Sequence, residues 1–355
     1  MPNSEWPPTI IGGLPLFFLG ITHPHKQTLT TMYTTTELLE IVNKALAEKS
    51  YDRQPRRLYE PVEYVMSLGG KRIRPVLMLM AYNLYHEDVT PALQPALGLE
   101  TYHNFTLLHD DVMDCADVRR GKPCVHKVWD DNSAILSGDT MLVMAFQMMQ
   151  QCAADKLAPV MQTFTQTALE IDEGQQYDIL FETRSDVSEA EYIEMIRLKT
   201  SVLLACALKI GAMLADAPRA DADALYEFGE KMGLAFQLQD DYLDVYGNYE
   251  TFGKKIGGDI LCNKKTYMLI NALAKADQPQ RQLLEQWLAT TDCNPEEKIT
   301  AVTHIYDSLQ IPEMARQKID QYTTEALNAL HKVALPDVQK EPLRQLALGL
   351  LSRQS

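Results

Sequence analysis

Apolar residues recur three and four positions apart through almost the whole chain after Thr36. Leu38, Leu39, Val42, Ala45 and Leu46 form one stripe; Leu77, Met80, Ala81 and Leu84 form another. This is the period of a helix with one face against a core. It predicts long helices at about 131–151, 155–182, 188–214, 220–246, 264–289 and 313–352, with breaks at Pro123, Asp186, Pro218 and Gly257-Gly258. Strand-type alternation is scarce, and no internal repeat or long linker interrupts the pattern. The expectation is one all-α domain over 32–355, a large helical bundle with its sites in the interior.

Residues 1–31 break the pattern: Pro7-Pro8 is followed by an apolar run, Ile10 to Ile21, interrupted by Gly12, Gly13 and Pro15. No Lys or Arg precedes Lys26, so the basic lead of a signal peptide is missing, and the run is too short to cross a bilayer. The reading is a poorly ordered leader, with Met32 as an alternative start and no integral membrane segment. A hydrophobic fraction of 46% is ordinary for a soluble protein, and a net charge of −15 argues against nucleic acid as a partner. Six cysteines, at 115, 124, 152, 206, 262 and 293, show neither close pairing nor metal-ligand spacing. They read as reduced packing residues of a cytoplasmic protein.

The candidate chemistry lies in two acidic clusters. In YHNFTLLHDDVMDCADVRRGK, Asp110 and Asp114 are four apart and share a helical face, with Asp111 beside them. FQLQDDYLDVYGNYETFGKK repeats the spacing as Asp240, Asp241 and Asp244, with Gln237 one turn earlier. One such cluster reads at least as well as a solvated face. Two with matching spacing, each towards the negative end of a long helical run, are unfavourable without a cation. Carboxylate oxygens suit Mg²⁺, which completes its shell with water and substrate phosphate.

Each cluster has basic companions: Arg119, Arg120 and Lys122 after the first, and Lys254, Lys255, Lys264 and Lys265 after the second. Their charge could meet an anion rather than the acids. Gly69-Gly70-Lys71-Arg72-Ile73-Arg74-Pro75 reads as a boundary between helices, where free N–H groups, Lys71 and Arg74 could grip an anion; the alternative is a solvated loop. His103 lies on the same helical face as Asp110, as a core residue or as a donor to phosphate. Gln175 and Asp178 of GQQYD share a face, and Lys199-Thr200 opens an apolar run, either snorkelling or touching phosphate.

Taken together and in chain order, GGKRIRP, HDDVMD with RRG, GQQYD, and FQLQDDYLD with GKK resemble the motifs of the trans-polyprenyl diphosphate synthases of short-chain, farnesyl or geranylgeranyl, type. The resemblance runs from Thr35 to the C-terminus. It implies an all-α bundle around a deep central cavity, usually a homodimer, that condenses isopentenyl diphosphate with allylic diphosphates (dimethylallyl, geranyl, farnesyl). It also implies Mg²⁺ held by Asp110 and Asp114 from one wall and Asp240 from the other, with Asp111, Asp241 and Asp244 nearby. Arg119, Lys199, Thr200, Gln237, Lys254 and Lys264 resemble the holders of the allylic diphosphate, with Lys199 and Lys254 acting on its departure. Lys71, Arg74, His103 and Arg120 resemble the isopentenyl diphosphate site.

Product length is read from Phe105, five residues and about 7.5 Å of helix rise before Asp110, with small Thr106 beside it. In the family a single aromatic there is compatible with twenty carbons, which favours geranylgeranyl diphosphate over farnesyl diphosphate. Ordinary core packing is the competing role for Phe105. A terpene cyclase would not need the second cluster and GGKRIRP, and a silent partner subunit would have lost one cluster. A helical protein with structural divalent sites would show no turnover.

Overall fold

The computed structural model describes residues 32–248, 256–290 and 293–351. The expected leader, 1–31, and the expected diphosphate ligand Lys254 lie outside the described residues. Helix α1 (Thr35–Ala47) begins with a reciprocal cap between Thr34 and Glu37 and buries Leu38 and Val42 of the predicted stripe. Helices α2 (Arg56–Ser67) and α3 (Ile73–Asn83) flank the Gly69-Gly70 turn. Helix α4 (Thr90–Met113) buries residues on all sides, as a helix in the middle of a bundle must. Around it stand α6 (Asp131–Met149), α7 (Leu157–Thr183) and α9 (Val202–Leu214), reached after the short α5 (Val125–Val128).

Helix α10 (Arg219–Tyr246) spans both hydrophobic cores. Phe228 packs in the core built on α3, α4 and α9, while Leu238 and Tyr242 pack in a second. That second core is made with α8 (Glu189–Ile196) and the C-terminal helices α11 (Gly258–Leu261), α12 (Tyr267–Lys275), α13 (Gln278–Ala289), α14 (Pro295–Ser308) and α15 (Ile311–Lys332). The last helix is α16 (Asp337–Leu351). No described helix is long and apolar enough to cross a membrane.

Three predicted helices are interrupted. The 264–289 run breaks at Asp277, whose side chain accepts from Gln280 N while its own backbone N–H donates to Gln280 Oε1, a local closure that outweighs the apolar periodicity. The 313–352 run breaks before Asp337, where Val333 leaves the helical region and Pro336 follows. The 188–214 run contains a π turn at Arg197–Ser201. A two-residue hairpin, β1 (Val118–Arg119) with β2 (Lys122–Pro123), departs from the all-helix pattern. Its tip, Arg120 and Gly121, takes φ of 53° and 75°, the geometry of a tight hairpin turn. Cys115 and Cys262 are exposed rather than packed.

Candidate active site

A cavity of about 240 Å³ opens beside the last turns of α4, with Arg74, His103, Phe105, Thr106 and Asp110 on one side and Gln175, Lys199 and Thr200 on the other. Lys199 and Thr200 belong to the π turn, and glycines explain how tightly it is held. A Cβ on Gly174 of α7 would lie 2.3 Å from Lys199 N, and one on Gly233 of α10 would lie 2.7 Å from Ser201 Cα. Two helices therefore close directly on the widened turn, a departure from α geometry that often marks a working site.

Lys199 Nζ is 2.5 Å from Asp178 Oδ2 and 3.8 Å from Asp110 Oδ1. Loss of water raises the Asp110 carboxyl above the usual range; Lys199 opposes this, while Asp114 and Asp178 add to it. Asp114, at the C-cap of α4, is exposed. Asp111 is buried and accepts from Arg119 Nε at 2.9 Å and Nη2 at 2.5 Å. The residues assigned by resemblance to metal and to diphosphate are here paired with each other, and the hairpin carries the arginine back over α4. Asp117 likewise meets Lys127 at 3.0 Å.

On the opposite wall Asp240 is partly exposed, whereas Asp241 and Asp244 are buried. Asp244 Oδ2 accepts from Asp259 N at 2.9 Å, tying α11 to α10. Asp241 accepts from the Tyr192 hydroxyl, from Tyr267 N at 3.3 Å and from Gln237 Nε2 at 3.4 Å. Burial pushes its carboxyl up to about 7, against the Tyr192 hydrogen bond. Lys264 relates the two walls. Crowding works against its charge, but the combined field of Asp259, Asp178, Asp241 and Asp114 outweighs that and holds the ammonium above its ordinary value. Asp114 and Asp178 belong to the first wall, and Asp241 and Asp259 to the second.

A third group gathers at the start of α3. Arg74 Nη1 is 3.0 Å from His103 Nε2, and because a guanidinium only donates, Nε2 accepts and the ring proton is on Nδ1. Burial, with Arg74, Arg120, Arg119 and Arg72 adding to it, pushes His103 well below the usual histidine range, so the ring is neutral; burial also pulls Arg74 down to about 10. Arg120 donates to Gly69 O and, at 3.3 Å, to Asn104 Oδ1. Lys71 is exposed on the adjoining loop.

Sequence reasoning missed the buried pair beneath this group: Arg72 Nη1 lies 2.6 Å from Glu100 Oε1, which also accepts from Asn104 Nδ2 at 3.1 Å. An acid within the apolar run around Leu97 to Tyr102 was the available signal. It also missed Asp172 and His109, which line the cavity; His109 Nε2 donates to Ile135 O at 3.0 Å in space left by Gly138.

One prediction follows from His103. Its folded form resists protonation, so as pH falls below about 6.5 the unfolded chain takes up the proton first and the folded state loses stability. His103→Gln should flatten the decline in Tm between about pH 7 and about pH 5. An unchanged slope would place the acid sensitivity elsewhere.

Phe105, 8% exposed, lines the cavity with Asp110. Its ring lies 4.8 Å from His109 and 5.5 Å from Tyr102; Tyr102 is 5.3 Å from Phe164, which is 5.2 Å from Phe146. Among the described residues no three His, Cys, Asp or Glu side chains converge as a ready-made metal cage. Mg²⁺ needs none, since one or two carboxylates and substrate oxygens suffice, and the carboxylates of Asp110, Asp114 and Asp240 are hard oxygen donors of that kind.

The chain matches the Polyprenyl synthetase family over residues 55–306. It is 41% identical to a geranylgeranyl diphosphate synthase of Methanosarcina mazei, over 66% of this chain and 73% of that protein. Other relatives are named for farnesyl and geranylfarnesyl products, so similarity alone does not choose among neighbouring lengths. A solved geranylgeranyl pyrophosphate synthase superposes with a TM-score of 0.87 at 41% identity, covering 91% of this chain and all of that one. Another, from Corynebacterium glutamicum and solved with isoprenyl diphosphate and magnesium, gives 0.77 at 28% identity, covering 90% of this chain and 96% of that one. The chain belongs to the polyprenyl synthetase family and is a prenyl diphosphate synthase of the all-α isoprenoid fold.

Proposed function

We propose that the protein condenses isopentenyl diphosphate head to tail with an allylic diphosphate, with geranylgeranyl diphosphate as its main product and farnesyl diphosphate as the shorter alternative. The observation that carries this reading is one cavity lined by Arg74, His103, Asp110, Lys199 and Thr200 together with Phe105, in which Lys199 lies 3.8 Å from Asp110. Asp110, Asp114 and Asp240 would hold Mg²⁺, whose charge would neutralise the diphosphate as it leaves. Lys199 and Lys264 add fixed positive charge where that negative charge develops.

The carbon–oxygen bond of the allylic diphosphate breaks with its electron pair going to the diphosphate. The double bond of isopentenyl diphosphate then forms the new carbon–carbon bond, and a proton leaves to restore a double bond. No side chain here is an evident base, and the departed diphosphate is the acceptor of that proton. Arg74, Arg120 and neutral His103 orient the isopentenyl diphosphate. Phe105 and Leu203, which line the cavity, help keep water from the cationic carbon.

Localisation in the cytoplasm and a homodimer belong to the same proposal. Leu136 and Val143 on α6 and Leu169 and Leu180 on α7 are each about half exposed, an apolar surface that a second copy would cover. The deciding experiment incubates the purified chain with Mg²⁺, labelled isopentenyl diphosphate and dimethylallyl, geranyl or farnesyl diphosphate in turn, and sizes the products. Label should enter a twenty-carbon product from each starter. A cyclase would convert an allylic diphosphate without taking up label, and a silent subunit would do neither.

A further inference from the structure

We propose that Lys298, on α14, is a positioning residue for this reaction, setting through Asn263 the loop that carries Lys264. The inference rests on the reading that Lys264 contacts the allylic diphosphate. Lys298 is only 2% exposed and lies away from the cavity that holds Lys199 and Asp110. Its Nζ donates to Asn263 Oδ1 at 2.7 Å. An ammonium taken out of water is costly, and a neutral carboxamide is a modest partner for it. An aliphatic side chain would fill the same space without that cost, so the amine is explained by what it holds.

What it holds is the residue at a left-handed turn of the loop, directly before Lys264. Asn263 has φ of 55°, in the left-handed region that asparagine enters more readily than most residues, so its side chain is free to bind outside the loop. Its amide is used at both ends, because Nδ2 also donates to Leu288 O at 3.0 Å, at the end of α13. One side chain thus stitches the loop to two helices. Lys264 follows directly, with its N–H donating to Asp259 O at 2.9 Å and its carbonyl accepting from Thr266 N at 2.9 Å. Asp259 in turn donates its N–H to Asp244. Between the second aspartate motif and α14, the backbone carrying Lys264 is fixed at Asp244, Leu288 and Lys298.

The test compares Lys298→Met, Asn263→Gly and Lys264→Ala in the full chain with Mg²⁺, measuring the allylic and isopentenyl KM values separately together with Tm. Glycine accepts the left-handed backbone, so Asn263→Gly removes the stitch without backbone strain should Lys298→Met fold poorly. Both should raise the allylic KM roughly tenfold, the scale of one misplaced charge-assisted hydrogen bond, and leave the isopentenyl KM within about twofold. Adding Lys298→Met to Lys264→Ala should bring no further rise, as for residues acting in series. Equal rises in both KM values, or none from Asn263→Gly, would overturn the positioning role while a large effect of Lys264→Ala left the site reading standing. An unmoved allylic KM in Lys264→Ala would overturn that reading and the inference with it.

Discussion

Asp110→Ala should lower turnover by about a thousandfold or more while leaving the fold at least as stable as before. The first part follows from its place on the wall with Asp114 and Asp178, where the cation that neutralises the leaving diphosphate would be held. The second part follows from the cost of its charge. Loss of water, Asp114 and Asp178 together disfavour the ionised carboxyl, and Lys199 keeps its closer partner Asp178 at 2.5 Å when Asp110 is removed. A dead enzyme with an unchanged or higher Tm is the signature of a group whose charge serves chemistry rather than folding. Asp240→Ala should be equally inactive, because on the proposed mechanism each cluster would supply oxygens that the other cannot replace. Near-normal turnover in either variant, across a Mg²⁺ titration, would remove the metal clamp from the mechanism.

Phe105→Ala should lengthen the product by about one five-carbon unit rather than without limit. The ring lines the cavity that Asp110 also lines, and its removal should uncover Tyr102, 5.5 Å from it, which is 1% exposed and backed by Phe164 at 5.3 Å. The growing tail would therefore gain a short pocket and then meet a second aromatic barrier. Truncating a buried phenylalanine costs about 3–5 kcal/mol, so Tm should fall as well, and part of that loss should return when a longer product fills the space. Chromatography of the products decides the matter. An unchanged distribution would mean that the floor is built by other residues and that Phe105 is core packing.

Much of this architecture was legible because it depends on short-range regularities. The helical period located α6, α7 and α10 to within two residues at each end. The matched spacing of Asp110 with Asp114 and of Asp240 with Asp244 marked two acidic faces as candidates for a cation. The breaks within 264–289 and 313–352 were less legible, because a cap such as Asp277 with Gln280 is a local competition that apolar periodicity does not register. The π turn at Arg197–Ser201 had no signal in its own residues. It is set by Gly174 and Gly233, far away in sequence, which let two helices approach it.

The sequence by itself determined that the chain is a bundle of amphipathic helices carrying two aspartate clusters with basic companions, because periodicity and spacing are properties of neighbouring residues. Tertiary structure decided which acids are in position to work. Asp110 and Asp178 meet Lys199, whereas Asp111 is taken by Arg119 and Asp241 by Tyr192. It also decided that Lys264 lies in the field of both walls, that His103 is neutral against Arg74, and that Lys298 reaches Asn263. Identical carboxyl groups one residue apart on a helix point to different surroundings, and burial and partners, which exist only after the helices pack, fix what each can do.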